Sequence, residues 1–531
     1  MPRYRPSSIL PFAIFVCFLY AGPAVLGQDR DGLRTQKILQ IQRLIENRDL
    51  TGASNLLDEA KKQYPSDPGF DNLAGIVAAQ QGNYAMAESS FFQAIKRSPK
   101  FTGAYLNLGR LYQENAAYSK AHQKALNIYE RVLGYEPANA EANYQLAALL
   151  LRDARYRESL NHVSRLPLEM QRKAQTLAIK CADYAGVDDR RNADDTAALL
   201  ATSADFSAAD AVQLLPALVA AKRDDLLISL LEHLQNHEPL SPGLERALGL
   251  AYERAGKLGE ARTTLEKSVT KETLSAALLL ELARVAHKQH DYQGSLGYLA
   301  HARDIEPNNA NVHYSFGMVC VDLNLVAEAR NSFEKAVKLD PENASYNYAM
   351  GATSVYRHDP AEAVPYFEKY LRIKPDDPRA KLALGDALFR AKDHEAAVPW
   401  LRQATTNPET AATAHYYLGS IALQERQLDE AQHEFEQALK IRPDYPDALA
   451  ELGQYYLVRK DYTKAEKQIR NALRVDPEHF SANFYLLTLY TRTGDERQEP
   501  QARHFEELKK LRDEKTQEFL RIVEVRPFET P

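Results

Sequence analysis

Cysteine, tryptophan, methionine, glycine and proline are all scarce in this chain. Its 531 residues include three cysteines, one tryptophan, five methionines, 23 glycines and 26 prolines. Three cysteines are too few for a disulfide scaffold or an array of zinc fingers, and so little glycine and proline argues against a loop-rich β or disordered chain. The 66 basic and 72 acidic side chains give a net charge of −6. The chain therefore has no excess of basic side chains that would attract nucleic acid. Mostly helical structure is the first expectation.

The N-terminus combines a short cationic segment with an apolar run. Arg3 and Arg5 precede residues 9–26, which carry no charge, and small residues stand at Ala24 and Gly27. This order is typical of a secretory signal, with cleavage expected between Gly27 and Gln28. The other interpretation is an uncleaved anchor, because about 20 apolar residues can span a bilayer. Both interpretations predict export: a periplasmic or secreted protein without a membrane span after cleavage, or a membrane-anchored protein that faces outside.

A period of 34 residues runs through most of the remaining chain. Glycine recurs at every 34th residue, at Gly317, Gly351, Gly385, Gly419 and Gly453. Alanine follows each glycine by twelve residues, at Ala329, Ala363, Ala397, Ala431 and Ala465. Proline closes most units, at Pro307, Pro341, Pro375, Pro443 and Pro477. If residue 310 is repeat position 1, the glycine stands at position 8 and the alanine at position 20.

This spacing of small, aromatic and proline residues resembles the tetratricopeptide repeat (TPR) family. The resemblance implies an all-α fold, namely an α-solenoid that winds as a right-handed superhelix of about 14 TPR helix pairs and ends in a C-terminal capping helix. The units start at residues 34, 68, 102, 140, 174, 208, 242, 276, 310, 344, 378, 412, 446 and 480. The predicted regions are a signal peptide (1–27), a short lead-in (28–33), the TPR array (34–499) and the capping helix with its tail (500–531).

The repeat also predicts how its helices pack. Positions 4, 7, 8 and 11 share one face of a first helix, and positions 20, 24 and 27 share one face of a second helix. Glycine within a helix costs about 0.5–1 kcal/mol relative to alanine, so its recurrence at position 8 predicts that another backbone approaches closely there. A single unit cannot bury its apolar face alone, whereas stacked units can.

Three stretches depart from the period. Four extra residues lie between Tyr112 and Ala125 and predict a longer connection between two helices. Residues 168–241 are degenerate: Pro216 is expected to kink or break a helix, and residues 187–195 read as a charged loop. This stretch is interpreted either as a hinge or as harmless divergence. The last stretch is an amphipathic helix, predicted for residues 501–523 with apolar Phe505, Leu508, Leu511, Phe519 and Ile522; it is interpreted as a cap or as a partner-binding helix.

No arrangement of residues points to catalysis or to a bound metal. No P-loop, zinc-binding HExxH, nucleophile-elbow GxSxG or CxxC motif occurs. His287, His290 and His301 lack the carboxylates that would complete a metal site, and Cys181 and Cys320 fall at helix-packing positions, where buried thiols are expected. The repeats also leave no segment long enough for a catalytic domain. The sequence therefore predicts a protein that is not an enzyme, with no catalytic residue, no metal and no cofactor.

A binding groove is expected on the first helices. In the TPR family, positions 2, 5, 9 and 12 face the concave groove, and helical spacing places these positions on one side. In the regular C-terminal repeats they are mostly apolar and rich in tyrosine, which suits an extended or helical polypeptide. The predicted protein-binding residues are Tyr314, Met318, Tyr348, Leu382, Asp386, Phe389, Tyr416 and Phe484.

Two functional hypotheses follow. The first is an exported, non-enzymatic scaffold or adaptor that binds protein or peptide partners through its concave groove. The alternative is an accessory subunit for the assembly or export of an envelope polymer such as a polysaccharide, since rows of tyrosines can also stack on a glycan. No nucleic acid partner is expected under either hypothesis.

Overall fold

The regular structure of this chain is helical. The computed structural model describes residues 28–115, 120–269, 274–357 and 359–518. Within these ranges there are helices and no strands, so the all-α prediction is confirmed. The chain divides into two compact units, residues 1–255 and residues 256–531. The predicted signal segment 1–27 lies outside the described residues, as do residues 519–531 with Phe519 and Ile522.

The first unit contains fourteen helices among its described residues. They are α1 (Gln28–Glu46), α2 (Leu50–Gln63), α3 (Pro68–Gln80), α4 (Tyr84–Arg97), α5 (Thr102–Glu114), α6 (Ala121–Leu133), α7 (Ala140–Arg152), α8 (Tyr156–Ser164), α9 (Leu168–Gln171), α10 (Ala174–Gly186), α11 (Arg190–Ala201), α12 (Ala208–Ala220), α13 (Asp224–Gln235) and α14 (Pro242–Arg254).

The second unit contains fifteen helices among its described residues. They are α15 (Leu258–Lys267), α16 (Ala276–Lys288), α17 (Tyr292–Ile305), α18 (Ala310–Asp322), α19 (Val326–Leu339), α20 (Ala344–Tyr356), α21 (Pro360–Ile373), α22 (Pro378–Arg390), α23 (His394–Ala404), α24 (Pro408–Gln424), α25 (Leu428–Ile441), α26 (Pro446–Val458), α27 (Tyr462–Val475), α28 (Phe480–Thr493) and α29 (Gln498–Glu518).

Within each unit, helices pack mainly against their neighbours in the sequence. The two helices of a pair contact each other, as α3 does with α4 and α18 with α19, and the second helix of a pair contacts the first helix of the next. First helices of consecutive pairs also touch, as in α3 with α5 and α16 with α18. This nearest-neighbour stacking is that of an α-solenoid, as the sequence predicts.

The glycine at repeat position 8 lies beneath a side chain of its partner helix. A Cβ atom added to Gly317 would stand 2.5 Å from the ring of Phe333, which occupies position 24, and one added to Gly385 would stand 2.5 Å from Leu401 Cδ2. The expected close approach is therefore present. The nearest atoms belong to the large side chain at position 24, which fills the space that the missing side chain leaves, and at Gly385 the backbone nitrogen of Leu401 also lies within 3.5 Å of the added Cβ.

The turn between the two helices of a pair contains a residue in the left-handed region. Asn324, Lys392 and Lys460 all stand at repeat position 15 and have φ values of 62°, 65° and 60°. In the unit that starts at residue 102, the left-handed residue is Lys120, which stands four residues later than position 15. Its displacement locates the insertion in the connection between α5 and α6, as the sequence predicts.

Two expectations for the degenerate stretch are corrected. Residues 190–195 are not loop but belong to α11, because the Asp189 side chain caps this helix by accepting a hydrogen bond from the Asn192 N–H at 3.2 Å. Pro216 lies inside the continuous helix α12. The carbonyl of Val212 loses its helical partner there, but Val212 is 54% exposed, so water can satisfy it. The predicted hinge stretch, 168–241, falls within the first unit.

The cysteines and the last helix agree with their predicted surroundings. Cys181 and Cys320 are free thiols and fully buried. Helix α29 packs on α28, with Phe505 against the rings of Phe480 and Phe484 at centroid distances of 4.8 and 5.6 Å. Leu508 is buried as predicted, whereas Leu511 is 42% exposed and so lies outside the packed face of this helix.

Candidate protein-binding groove

Two adjoining cavities lie on the first helices α16, α18 and α20 of the second unit. One lies between α18 and α20 and measures about 560 Å³; the other lies between α16 and α18 and measures about 510 Å³. Tyr314 and Met318 line both, so the two cavities form one trough. Their lining includes repeat positions 2, 5 and 9 of all three helices, which are positions predicted to face a groove.

The cavity between α18 and α20, called here the apolar cavity, contains the strongest candidate contacts. Among the described residues that line it, none carries a charge. They are Tyr314, Met318, Val321, Asn324, Val326, Phe333, Ser345, Tyr348, Ala349, Ala352, Thr353, Tyr356 and Tyr370. Met318, Val321 and Tyr356 are 40%, 48% and 55% exposed, which is unusual for large apolar side chains grouped together.

Packing from below holds the tyrosines of this cavity in place. The Tyr348 ring lies 5.5 Å from Phe367 and 5.2 Å from Tyr370, and the Tyr314 ring lies 5.9 Å from Phe333. These distances are within the usual range for favourable aromatic pairs. Phe333 and Phe367 are the position-24 residues that also cover the glycines, so the joint of each helix pair directly supports the floor of the cavity.

Three tyrosine hydroxyls of the apolar cavity, those of Tyr314, Tyr348 and Tyr370, stay neutral near pH 7. Burial raises the pKa of Tyr314 and of Tyr348. Burial, together with a hydrogen bond to Asp377, raises the pKa of Tyr370 to about 12; its hydroxyl donates to Asp377 Oδ2 at 2.6 Å. These three residues therefore present neutral aromatic surfaces with hydroxyl groups to the cavity.

The cavity between α16 and α18, called here the mixed cavity, is more polar. Glu281, Arg284, His287 and Asn311 line it beside Leu280. The His287 imidazole lies 2.6 Å from Asp322 Oδ2, so this histidine is held by a carboxylate of the next first helix. The trough thus changes from charged to uncharged within one repeat.

Three predicted residues lie on α22 and are engaged in packing or in an ion pair. Leu382 and Phe389 pack against the core cluster that includes Leu388 and Leu418, and the Asp386 carboxylate accepts from Arg390 at 2.6 Å. None of the three lines either cavity of the trough. The structure therefore does not place them with Tyr314, Met318 and Tyr348, although their repeat positions are equivalent.

Tyr416 and Phe484 are in contact with other aromatic rings. The Tyr416 ring packs between Tyr417 and Tyr445, with centroids 5.0 and 5.4 Å away, and Phe484, although 47% exposed, contacts Phe505 of α29. The repeat position of a groove residue alone does not reveal these contacts, because it does not specify the side chains at other positions of the unit or outside the repeats.

Several residues that line the apolar cavity were not predicted. Asn324 lies in the turn after α18, Val326 begins α19, Tyr356 ends α20, and Tyr370 comes from the second helix α21. Sequence reasoning considered only the groove positions of first helices. For Tyr356 and Tyr370, the sequence signal that could have identified them is tyrosine at positions 13 and 27 of the unit that starts at residue 344.

The described residues contain no other arrangement that suggests chemistry. Within them, no three His, Cys, Asp or Glu side chains are grouped to hold a metal ion. His290, one of the clustered histidines, faces the Tyr292 hydroxyl at 3.0 Å. Among the same residues, no helix has the length and apolar character needed to cross a membrane.

Part of the corresponding face of the first unit is occupied by polar side chains that bond to one another. Asn107 Nδ2 donates to Asn72 Oδ1 at 3.0 Å, and Gln113 Nε2 donates to Gln145 Oε1 at 3.1 Å. Arg110 forms an ion pair with Glu141 of the next first helix. These side chains occupy repeat positions 2, 5, 6, 9 and 12 of α3, α5 and α7, where the second unit has its trough.

Comparisons with known proteins agree with the repeat. Models of the tetratricopeptide repeat match residues 38–101, 118–178, 246–310, 310–343, 348–412 and 422–495. These ranges leave out residues 179–245, which include most of the degenerate stretch. No curated protein sequence matches this chain.

Among solved structures, the chain is similar to YrrB, described as a TPR protein with an unusual peptide-binding site (26% identity, 35% of this chain and 95% of that chain, TM-score 0.29). It is also similar to pilF of Pseudomonas aeruginosa (21% identity, 40% and 97%, TM-score 0.34) and to the Cut9–Hcn1 hetero-tetramer of the APC/C (14% identity, 87% and 96%, TM-score 0.36). Because the repeat models cover most of its length, the chain belongs to the tetratricopeptide repeat family.

Proposed function

We propose that this protein is an exported, non-enzymatic scaffold that binds a segment of a partner protein along α16, α18 and α20. TPR proteins bind protein or peptide partners and are generally non-catalytic. The observation that carries the proposal is the trough of two adjoining cavities, in which Met318 and Val321 remain exposed beside tyrosines. Exposed apolar side chains grouped in a concave site are typical of interaction surfaces.

Photo-cross-linking tests this proposal. A photoreactive amino acid replaces Ala352, which is exposed in the apolar cavity, or Ala361, which is exposed on α21 and outside the trough. In the native envelope, we expect a defined polypeptide to attach at position 352 and not at position 361. Equal attachment at both positions, or no polypeptide at position 352, would contradict the proposal.

The export part of the proposal is supported by the order of residues 1–27, a cationic start followed by an uncharged run and small residues. N-terminal sequencing of the protein isolated from its own cells tests it. A mature chain that begins at Gln28 supports a cleaved signal, and an uncleaved chain recovered with the membrane supports the anchored form that faces outside. Recovery of the full-length chain from the cytoplasm would argue against export.

The envelope-polymer hypothesis keeps one specific observation in its favour. Tyr314, Tyr348 and Tyr356 line an uncharged cavity, and neutral aromatic rings can stack on sugars. A glycan array with residues 28–531 separates the two functions. Specific sugar binding that is lost in Tyr348→Ala favours the polymer hypothesis. Tyr416→Ala serves as a comparison, since Tyr416 lies among other tyrosines and does not line the trough.

A further inference from the structure

The last two first helices, α26 and α28, are joined by hydrogen bonds between polar side chains. The Tyr485 hydroxyl of α28 lies 2.8 Å from Glu451 Oε1 and 2.9 Å from Gln454 Oε1, both on α26. One helix turn before Glu451, Asp447 Oδ1 lies 3.2 Å from Nε2 of His479, the residue that caps α28. Two carboxyl groups of α26 therefore face α28.

Glu451 is partly buried, and none of the described lysines and arginines pairs with it. The titratable groups around it are Asp447 on the same helix, His479 and Tyr485 on α28, and Tyr416 on α24. Burial raises the pKa of both tyrosines, so they are uncharged near neutral pH. An ionised Glu451 would therefore lose part of its water and gain no positive charge beyond what His479 supplies, which is unfavourable.

This environment determines the protonation state of Glu451. Burial raises the pKa of its carboxyl from 4.5 to about 7; Asp447 adds to the shift, and the bond from Tyr485 opposes it. If α28 moves away from α26, water reaches this carboxyl and its pKa falls back toward 4.5. The closed arrangement thus binds the proton more tightly than the open one. The contribution of Glu451 to its stability is greatest below about pH 4.5, falls as the pH rises toward 7, and levels off above that.

We propose that the contact between Glu451 and Tyr485 is a proton-dependent joint, which holds α28 against α26 when Glu451 is protonated and loosens when Glu451 is ionised. A protonated carboxyl still accepts from Tyr485 through its carbonyl oxygen, so the hydrogen bond is kept while the buried charge is removed. Helix α29 moves with α28, because Phe505 packs on Phe480. The joint lies outside the trough, so the inference does not depend on the proposed function.

Hydrogen exchange of the purified protein between pH 5 and pH 8.5, corrected for the intrinsic effect of pH on amide exchange, tests the inference. We expect amide protection in α28 to be at least tenfold lower at pH 8 than at pH 5. Glu451→Gln keeps an acceptor for Tyr485 but cannot ionise, so α28 should be protected equally at both pH values. Glu478→Gln removes an exposed acid just before α28 and is the matched control, which should keep the pH dependence of the parent.

A third variant tests the sign of the effect. Tyr485→Phe removes a hydrogen bond that favours the ionised carboxylate, so the midpoint of the pH transition in α28 should move to higher pH. An unchanged or lower midpoint would overturn the role of Tyr485. Equal protection of α28 at pH 5 and pH 8 in the parent, or a pH dependence that persists in Glu451→Gln, would overturn the proposal as a whole. If Tyr485→Phe unfolds α28 at every pH, the comparison of Glu451→Gln with Glu478→Gln decides.

Discussion

The first helices of the two units carry different side chains on the groove side. In the first unit, positions 6, 9 and 12 of α5 hold Asn107, Arg110 and Gln113, which bond to side chains of neighbouring repeats. In the second unit, positions 5 and 9 of α18 hold Tyr314 and Met318, which line a trough and leave apolar surface exposed. A ligand on the first face would compete with bonds that already exist, whereas a ligand on the second would gain by covering apolar surface.

This difference shows that the repeat determines the scaffold and leaves the binding chemistry open. Both units use the same joint, in which a large position-24 side chain covers the position-8 glycine: Tyr129 over Gly109 in the first unit, and Phe333 over Gly317 in the second. The residues at the joint are constrained by packing, while those at positions 2, 5, 9 and 12 of the first helix face the groove and are free to differ. The four predictions below test this separation, from the largest expected effect to the smallest.

The first prediction concerns a buried acid that the second unit lacks at the same position. Asp183 of α10 is fully buried, and burial raises its pKa from 3.8 to about 8; Val285 and Val319 occupy this repeat position in α16 and α18. Because the folded state holds this proton more tightly, the contribution of Asp183 to stability is most favourable below pH 4 and falls by about 1.4 kcal/mol per pH unit up to about pH 8. We expect Asp183→Asn to remove this decline.

Thermal unfolding at pH 4.5 and at pH 8.5 measures the effect, because these two pH values span most of the interval between 3.8 and about 8. The variant should match the parent at the lower pH and exceed it by several kcal/mol at the higher pH. Val285→Ala, at the corresponding position of the second unit, is a control that should destabilise equally at both values. An Asp183→Asn variant that follows the pH profile of the parent would show that this carboxyl does not govern it.

The second prediction tests the joint that both units share. In Gly385→Leu the new side chain meets Leu401, and in Gly109→Leu it meets Tyr129. Each substitution should cost roughly 1–3 kcal/mol by overpacking and should split thermal unfolding into blocks, because stability in a solenoid is passed between neighbours. Gly259→Leu, at an exposed position with open space around it, is the matched control. Unchanged melting in both joint variants would refute the packing account.

The third prediction separates the two faces in partner binding. Met318→Glu places a charge where both cavities of the trough meet and should weaken the binding of the cross-linked partner at least tenfold, about 1.4 kcal/mol. Asn107→Ala breaks the polar network of the first unit and should leave partner affinity unchanged, at a small cost in stability. Titration of the purified partner into each variant measures both. A larger loss of affinity in Asn107→Ala than in Met318→Glu would assign the binding site to the first unit.

The fourth prediction concerns the turns, which are alike in both units. Lys392 and Lys222 adopt φ values of 65° and 56°, which are strained for residues with a side chain. Lys392→Gly and Lys222→Gly should each stabilise the protein by about 0.5–1 kcal/mol, measured by chemical denaturation. Lys381→Gly, within helix α22, should have the opposite effect. A loss of stability in both turn variants would mean that the lysine side chains contribute more than the backbone strain costs.

The period predicted the helices well because it records the contacts within each helix pair directly. Positions 8 and 20 face the partner helix, so the small residues at these positions mark each helix pair in the sequence. The four extra residues likewise mark the lengthened connection, which ends at Lys120. The secondary structure of the degenerate stretch was predicted less accurately. Its charged run belongs to the solvent face of α11, and composition alone does not distinguish such a face from a loop.

The groove was predictable in position and only partly in content. Tyr314, Met318 and Tyr348 line the trough as their positions predict, and they still require a binding experiment. Tyr416 has the same repeat position as Tyr314, yet Tyr417 and Tyr445 pack against its ring. Whether a groove residue stays open depends on the side chains around it, which its own repeat position does not specify.

Hydrogen exchange on the protein with and without its cross-linked partner tests the central claim most directly. If a partner segment binds the trough, amide exchange should slow in α18 and α20, with a smaller effect in α16, and should stay unchanged in α3, α5 and α7. Slower exchange in α3, α5 and α7, with none in α18 or α20, would contradict the account and assign partner binding to the polar face of the first unit.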